Sequence, residues 1–261
     1  MVKTPMKTMH RAPLAGAFAL ALVAILPNGA AAQDMPMPQV IIDRYVEAIG
    51  GAEAVTAAIA TRTTGTFEIP AMGLSGDLEV VQSADGAQAT KVTIPGMGDM
   101  LSGYTGEHGW SMDPMTGARL LEGGELDTAR EQADRLYGVR DASLFQSIET
   151  VGENEYSGEA CWEVKFVWNS GREATECYSK DSGLVLAITT SQETPMGEVE
   201  VLSVLEDYQQ FGNLMLPTVM TQSMMGQQQV MRIGDVEMGE VDLSLLELPA
   251  AIQTLIDAGG S

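Results

Sequence analysis

CWEVKFVWNSGREATECYSKDSGLVLAITT, residues Cys161–Thr190, decides the fold class. Trp162, Val164, Phe166 and Trp168 alternate with Glu163, Lys165 and Val167, the period-two pattern of a strand with one apolar face. Asn169-Ser170-Gly171 is turn chemistry, and Glu173 to Tyr178 return beside the first strand. Asp181-Ser182-Gly183 then turns the chain into another strand, Leu184 to Thr190. Cys161 and Cys177 both fall in the first hairpin. Setting them opposite each other also sets Lys165 opposite Glu173, a favourable cross-strand pair, and requires a five-residue loop from Val167 to Gly171. A three-residue loop offsets the cysteines by two positions. In an oxidising compartment one disulfide is expected, worth roughly 3 kcal/mol in the chain-entropy model; the competing reading is two inert thiols. The spacing is not that of a thioredoxin-type redox pair.

Working outward towards the C-terminus, Glu198 to Asp207 alternates Val199 and Val201 with acids until Leu202 shifts the phase. That shift predicts a bulge or burial on both faces. Thr218 to Met225 and Gln228 to Met238 read as strands, and Pro249 to Gly259 as an apolar helical tail. Towards the N-terminus, a helix from Gln39 places Val40, Ile41, Tyr45, Ala48 and Ile49 on one side and stops at Gly50-Gly51. A second helix is expected over Ala52 to Ala60. Strands follow at Thr64 to Ile69, Asp77 to Gln82, Gln88 to Ile94, Met100 to Thr105 and Gly109 to Met112, with a loop from Asp113 to Gly117. Glu125 to Tyr137 reads as a helix with Leu126, Ala129, Ala133 and Leu136 inward, and Ser143 to Ser147 as a further helical turn. Some ten strands at this spacing predict an α+β, mainly β domain built on a curved antiparallel sheet or barrel. No linker or repeat divides it, so residues 33–248 form one domain with 249–261 as its tail.

The first residues read as an export signal. Lys3, Lys7 and Arg11 precede an apolar run from Leu14 to Leu26, Pro27 and Gly29 break it, and Ala30-Ala31-Ala32 supplies small residues for cleavage. The run is shorter than the roughly 20 residues that span a bilayer. Residues 1–32 are thus expected to be a signal peptide, and the mature chain a soluble periplasmic protein. The first cysteine is Cys161, far from the cleavage site, so no lipid-modified N-terminus is expected. Cleavage removes three of the 14 basic residues and none of the 36 acidic ones, leaving a net charge of −25. Such a field repels nucleic acid and anionic membrane surfaces.

Catalytic signatures are absent from the sequence. His108 is the one histidine beyond residue 32, and it reads as part of the turn before Trp110. There is no HExxH, GxSxG, P-loop or dinucleotide fingerprint. The expectation is a protein that is not an enzyme and has no cofactor.

Several segments are similar to exported bacterial proteins of the outer-membrane lipoprotein-sorting class, in the superfamily of the periplasmic lipoprotein carriers LolA and LolB. They are VEAIGGAEAV (46–55), FEIPAMGLSG (67–76), WSMDPMTGARLLEG (110–123), CYSKDSGLVL (177–186), ETPMGEVEV (193–201), EDYQQFGNLMLP (206–217) and VMTQ (219–222). The resemblance implies an unclosed β-barrel with helices capping its concave side and an apolar cavity for acyl chains. On that expectation Phe67, Ile69, Leu78, Val80, Ile94, Trp110 and Met112 line the ligand site, and the partner is a lipid or a lipoprotein acyl chain. An inner- or outer-membrane envelope protein is a further expected partner, and the alternative function is a non-catalytic envelope interaction subunit. The sequence is also rich in methionine: Met72, Met97, Met100, Met112, Met115, Met196, Met215, Met220, Met224, Met225, Met231 and Met238 fall in or beside the β segments. Thioethers adapt to irregular guests, yet they equally fill a core poor in phenylalanine. Met35-Pro36-Met37 alone is too little for a copper site, which needs several converging sulfurs.

Overall fold

The computed structural model describes residues 35–194 and 197–259. The expected signal peptide, its cleavage point and Met196 lie outside the described residues.

The chain opens with helix α1, Pro38–Ala48, where the proline sits in the first turn and needs no intrahelical partner. Ile41, Ile42 and Ile49 are buried. Val40, expected inward, is exposed, because the docked face is centred one position further along the helix. Gly50-Gly51 ends it with positive φ at both residues. Helix α2 is shorter than expected: it covers only Ala52–Val55, and Ile59 is exposed.

Six strands follow as a meander: β1 Thr61–Ile69, β2 Leu74–Gln82, β3 Gln88–Ile94, β4 Gly98–Tyr104, β5 Gly109–Asp113 and β6 Gly117–Leu120. Helix α3, Gly123–Ala133, and two 3-10 turns, Arg135–Tyr137 and Ala142–Leu144, lead to a second meander. Its strands are β7 Phe145–Tyr156, β8 Glu159–Trp168, β9 Glu173–Ser179, β10 Val185–Thr194, β11 Gly197–Phe211, β12 Leu214–Met224 and β13 Gln227–Met238. A 3-10 turn, Ser244–Leu246, and helix α4, Ala250–Gly259, complete the described chain. The expected helix to Tyr137 stops early because Asp134 turns to extended backbone and its carboxylate accepts from the Leu136 N–H, capping the next turn. Ser143–Ser147, expected as helix, is instead the end of a 3-10 turn and the start of β7.

All 13 strands join one curved, unclosed antiparallel sheet in the order β6-β5-β4-β3-β2-β1-β13-β12-β11-β10-β9-β8-β7. The two meanders are stitched by β1 against β13, so β6 and β7, consecutive in sequence, stand at opposite edges. Residues 121–144 carry the chain from one edge to the other.

The sheet therefore has two faces with separate cores. On the inner face α1 packs Ile41 and Ile42 against Phe145, Val164, Phe166, Trp168 and Tyr178. Further along that face Phe67, Leu78, Val92 and Ile94 form a second cluster. Gly76 belongs there by necessity, since a Cβ would lie 2.3 Å from the Thr93 carbonyl oxygen. On the outer face α4 buries Ile252 against Trp110 and Ala89. The phase shift at Leu202 marks burial on both faces: Val201 is buried, Leu202 packs beside the disulfide, and the β10–β11 register runs unbroken through both.

Cys161 and Cys177 form the disulfide, Cα atoms 5.5 Å apart. The register differs from direct opposition. Cys161 pairs with Ser179 and Glu163 with Cys177, because the turn is the tight three-residue Asn169-Ser170-Gly171, closed by Trp168 N–H to the Arg172 carbonyl at 2.9 Å. The bridge is diagonal on the outer face, as is the Lys165–Glu173 ion pair at 2.7 Å.

Candidate ligand-binding site

The open end of the inner face is assembled by close backbone contacts. Gly50, at φ +121°, lies so near the β11–β12 turn that a Cβ would stand 2.1 Å from the Asn213 carbonyl oxygen. Met215 N–H donates to the Ile49 carbonyl beside it at 3.0 Å, so the end of α1 is fixed to that turn. Across the gap, Val55 of α2 approaches Gly138 so closely that any side chain there would collide with it.

These contacts bound a cavity of about 940 Å³. Its walls are Glu53, Ala54 and Val55 of α2, Thr61 and Met238 at the β1 and β13 ends, Gln82 and Ser83, the segment Gln132 to Gly138 and the turn Gln210 to Leu214. The lining mixes aliphatic groups with amides, the phenol of Tyr137 and three charged side chains, Glu53, Asp134 and Arg135. A volume of this order matches ligand pockets that enclose much of a small amphiphile.

None of the seven residues expected at the site touches this cavity. Five of them, Phe67, Ile69, Leu78, Val80 and Ile94, gather in one inner-face cluster with Met100 and Met231. The cross-strand register places Phe67 and Ile69 on the same face of β1 as the cavity-lining Thr61, and Leu78 and Val80 on the same face of β2 as Gln82. The cluster thus continues the cavity's wall along the strands. Trp110 and Met112 are elsewhere. They project from the outer face, where Trp110 is buried under α4 and its indole covers Gly103. The described methionines are dispersed: Met238 lines the cavity, Met100 and Met231 join the inner cluster, Met220 packs against the cluster beneath α1, and Met72, Met97, Met115 and Met225 are exposed. His108 closes the β4–β5 turn, its N–H donating to Thr105 Oγ1 at 3.0 Å.

A buried ionic network was not foreseen. Glu176, fully buried on the inner face, accepts from Arg140 Nε at 3.0 and 3.1 Å and from the Tyr178 hydroxyl at 2.5 Å. Arg140 also donates to the Tyr137 carbonyl and lies over the rings of Tyr137 and Tyr45 at 4.5 and 5.4 Å. Burial opposes the charge of Arg140, but Glu176 and the surrounding tyrosines outweigh it and hold its pKa well above the usual value. Burial, reinforced by Glu176, drives the Tyr178 phenol well up. The signal for Glu176 is its phase: it alternates with Ala174 and Tyr178 and therefore lies on the apolar side of β9.

This fold, an unclosed antiparallel sheet with helices against its inner face, is similar to that of several solved structures. A LolA superfamily protein from Nitrosomonas europaea superposes with a TM-score of 0.55 at 10% identity, over 82% of this chain and 98% of that one. A DUF1329 family protein from Desulfovibrio piger gives 0.53 at 14% identity, over 80% and 96%. A domain assigned to outer-membrane lipoprotein sorting, from Vibrio parahaemolyticus, gives 0.50 at 10% identity, over 79% and 97%. At these identities the likeness is one of fold. No family model matches the sequence, and no curated protein matches it. Among the described residues no helix is long and apolar enough to cross a membrane.

Proposed function

We propose that this chain is an exported, periplasmic binding or carrier protein for a lipid, a lipoprotein acyl chain or another apolar ligand, and that it works without catalysis. The observation that carries the reading is the cavity of about 940 Å³ at the open end of the inner face, continued along β1 and β2 by apolar side chains. Burying alkyl surface there gains about 25 cal/mol per Å², enough to hold a chain without a covalent step. The fold shared with lipoprotein-sorting structures supports the same reading.

The test is native mass spectrometry of the mature protein, with titration of a fluorescent fatty-acid probe. Retained lipid and saturable probe binding are expected. Bare protein with no probe response contradicts the reading. A second reading, an envelope interaction subunit, is favoured by one observation: beneath α1 the inner face is filled by the chain's own aromatic side chains. A stable protein partner captured by a lipid-free chain would support it.

A further inference from the structure

We propose that the rim of this cavity reads a zwitterionic head group, taking a phospholipid's phosphate on Arg135 and its amine on Glu53 and Asp134. The inference rests on the carrier reading above and narrows its ligand class.

The observation is an unmatched cation. The described residues include eleven lysines and arginines. Nine of them make ion pairs: Arg62, Lys91, Arg119, Arg130, Arg140, Lys165, Arg172, Lys180 and Arg232. Arg44 instead donates to the carbonyls of Lys180 and Asp181. Arg135 alone among the eleven has a side chain with no hydrogen bond or ion pair, although its backbone carbonyl accepts from the Gly138 N–H, and it lines the cavity. In a chain with 36 acidic residues an arginine finds a carboxylate easily. The nearby Asp85 feels the charge of Arg135 but accepts its hydrogen bond from Ser83 and forms no ion pair with the guanidinium. A half-buried guanidinium at a cavity wall with its hydrogen-bond donors unspent presents a fork suited to phosphate oxygens.

The same rim carries two carboxylates. Asp134 precedes Arg135 and spends one oxygen on the Leu136 N–H. Glu53 faces the cavity from α2 and has no partner among the described residues. A purely anionic guest meets two carboxylates for one guanidinium, on a chain of net charge −22. A purely cationic guest meets Arg135. A zwitterion satisfies both signs, while its acyl chains follow the inner face towards Val80, Leu78 and Phe67.

The test offers the mature protein phosphatidylethanolamine, phosphatidylglycerol and palmitic acid in mixed detergent micelles and counts retained lipid by native mass spectrometry. Phosphatidylethanolamine is expected to be retained in preference by about tenfold, the worth of one charge-assisted contact. Arg135→Gln should lower the retention of both phospholipids, Arg135→Lys should restore part of it, and Glu53→Gln should shift the preference from phosphatidylethanolamine towards phosphatidylglycerol. Thermal unfolding checks each variant; should Arg135→Gln not fold, the Glu53→Gln shift carries the test. Equal retention of all three lipids, or a preference indifferent to these substitutions, overturns the head-group inference and leaves the carrier reading standing. No retention of any lipid by the wild type overturns both.

Discussion

Arg140 and Glu176 together hold the segment that crosses the open side of the sheet, since Arg140 belongs to that segment and Glu176 to β9. Two charges taken out of water are costly, and their attraction offsets that cost only while both are present. Arg140→Met or Glu176→Leu alone is therefore expected to destabilise by about 3–5 kcal/mol, measured by denaturant unfolding. The double variant should recover much of the loss. Single variants as stable as the wild type would mean that the pair is not coupled as its geometry indicates. Glu176 had a signal in the sequence, a carboxylate in phase with Ala174 and Tyr178, but it was not singled out. Arg140 had none, because strand periodicity carries no information about a partner 36 positions away.

Helix α3 is tied near its start to the β6 edge and near its end to the tip of the β8–β9 hairpin, beside the β7 edge. Near its start Glu125 accepts from both terminal nitrogens of Arg119, which lies on β6, at 2.6 and 2.8 Å. Near its end Glu131 accepts from Arg172 at 2.7 Å and from the Ser170 hydroxyl at 2.6 Å, at the tip of the β8–β9 hairpin. Hydrogen bonding from Arg119 holds the Glu125 carboxyl below its ordinary value. A depressed folded-state pKa stabilises above the unfolded value of about 4.3, and the contribution is lost as pH falls through the lower folded value. Glu125→Gln should therefore destabilise the fold near pH 7 by no more than about 1 kcal/mol for so exposed a pair, read as a lower melting temperature. The difference from wild type should vanish below the folded pKa; a difference that persists in acid would contradict this assignment. At this scale the central strands were legible, because burial on one face imposes alternation. Strand β7 was not: it stands at an edge and carries Glu149, Gly152, Glu153, Asn154 and Glu155, the polar composition that protects an edge from further pairing. The hairpin register was legible only as two alternatives, because both loop lengths leave the cysteines and the Lys165–Glu173 pair on one face.

For the whole sheet, one long-range pairing decides what the inner face can do. Joining β1 to β13 makes two meanders into a single curved sheet and leaves the gap between β6 and β7 for α3 and the 3-10 turns to cross. Neither that closure nor the cavity follows from local pattern, because both depend on contacts between the two ends of the domain. The expected apolar strands were present, and five of the seven residues named from them do cluster on the inner face, yet the cavity's own walls come from turns and helix ends. Trp110 and Met112 went to the other face because α4, read in the sequence only as a tail, supplies an outer core of its own. The most direct measurement is fatty-acid probe binding by Ala54→Trp, which places an indole inside the cavity from a half-buried position on α2. This variant is expected to fold and to lose most of its binding, whereas binding equal to that of the wild type would show that the ligand sits elsewhere.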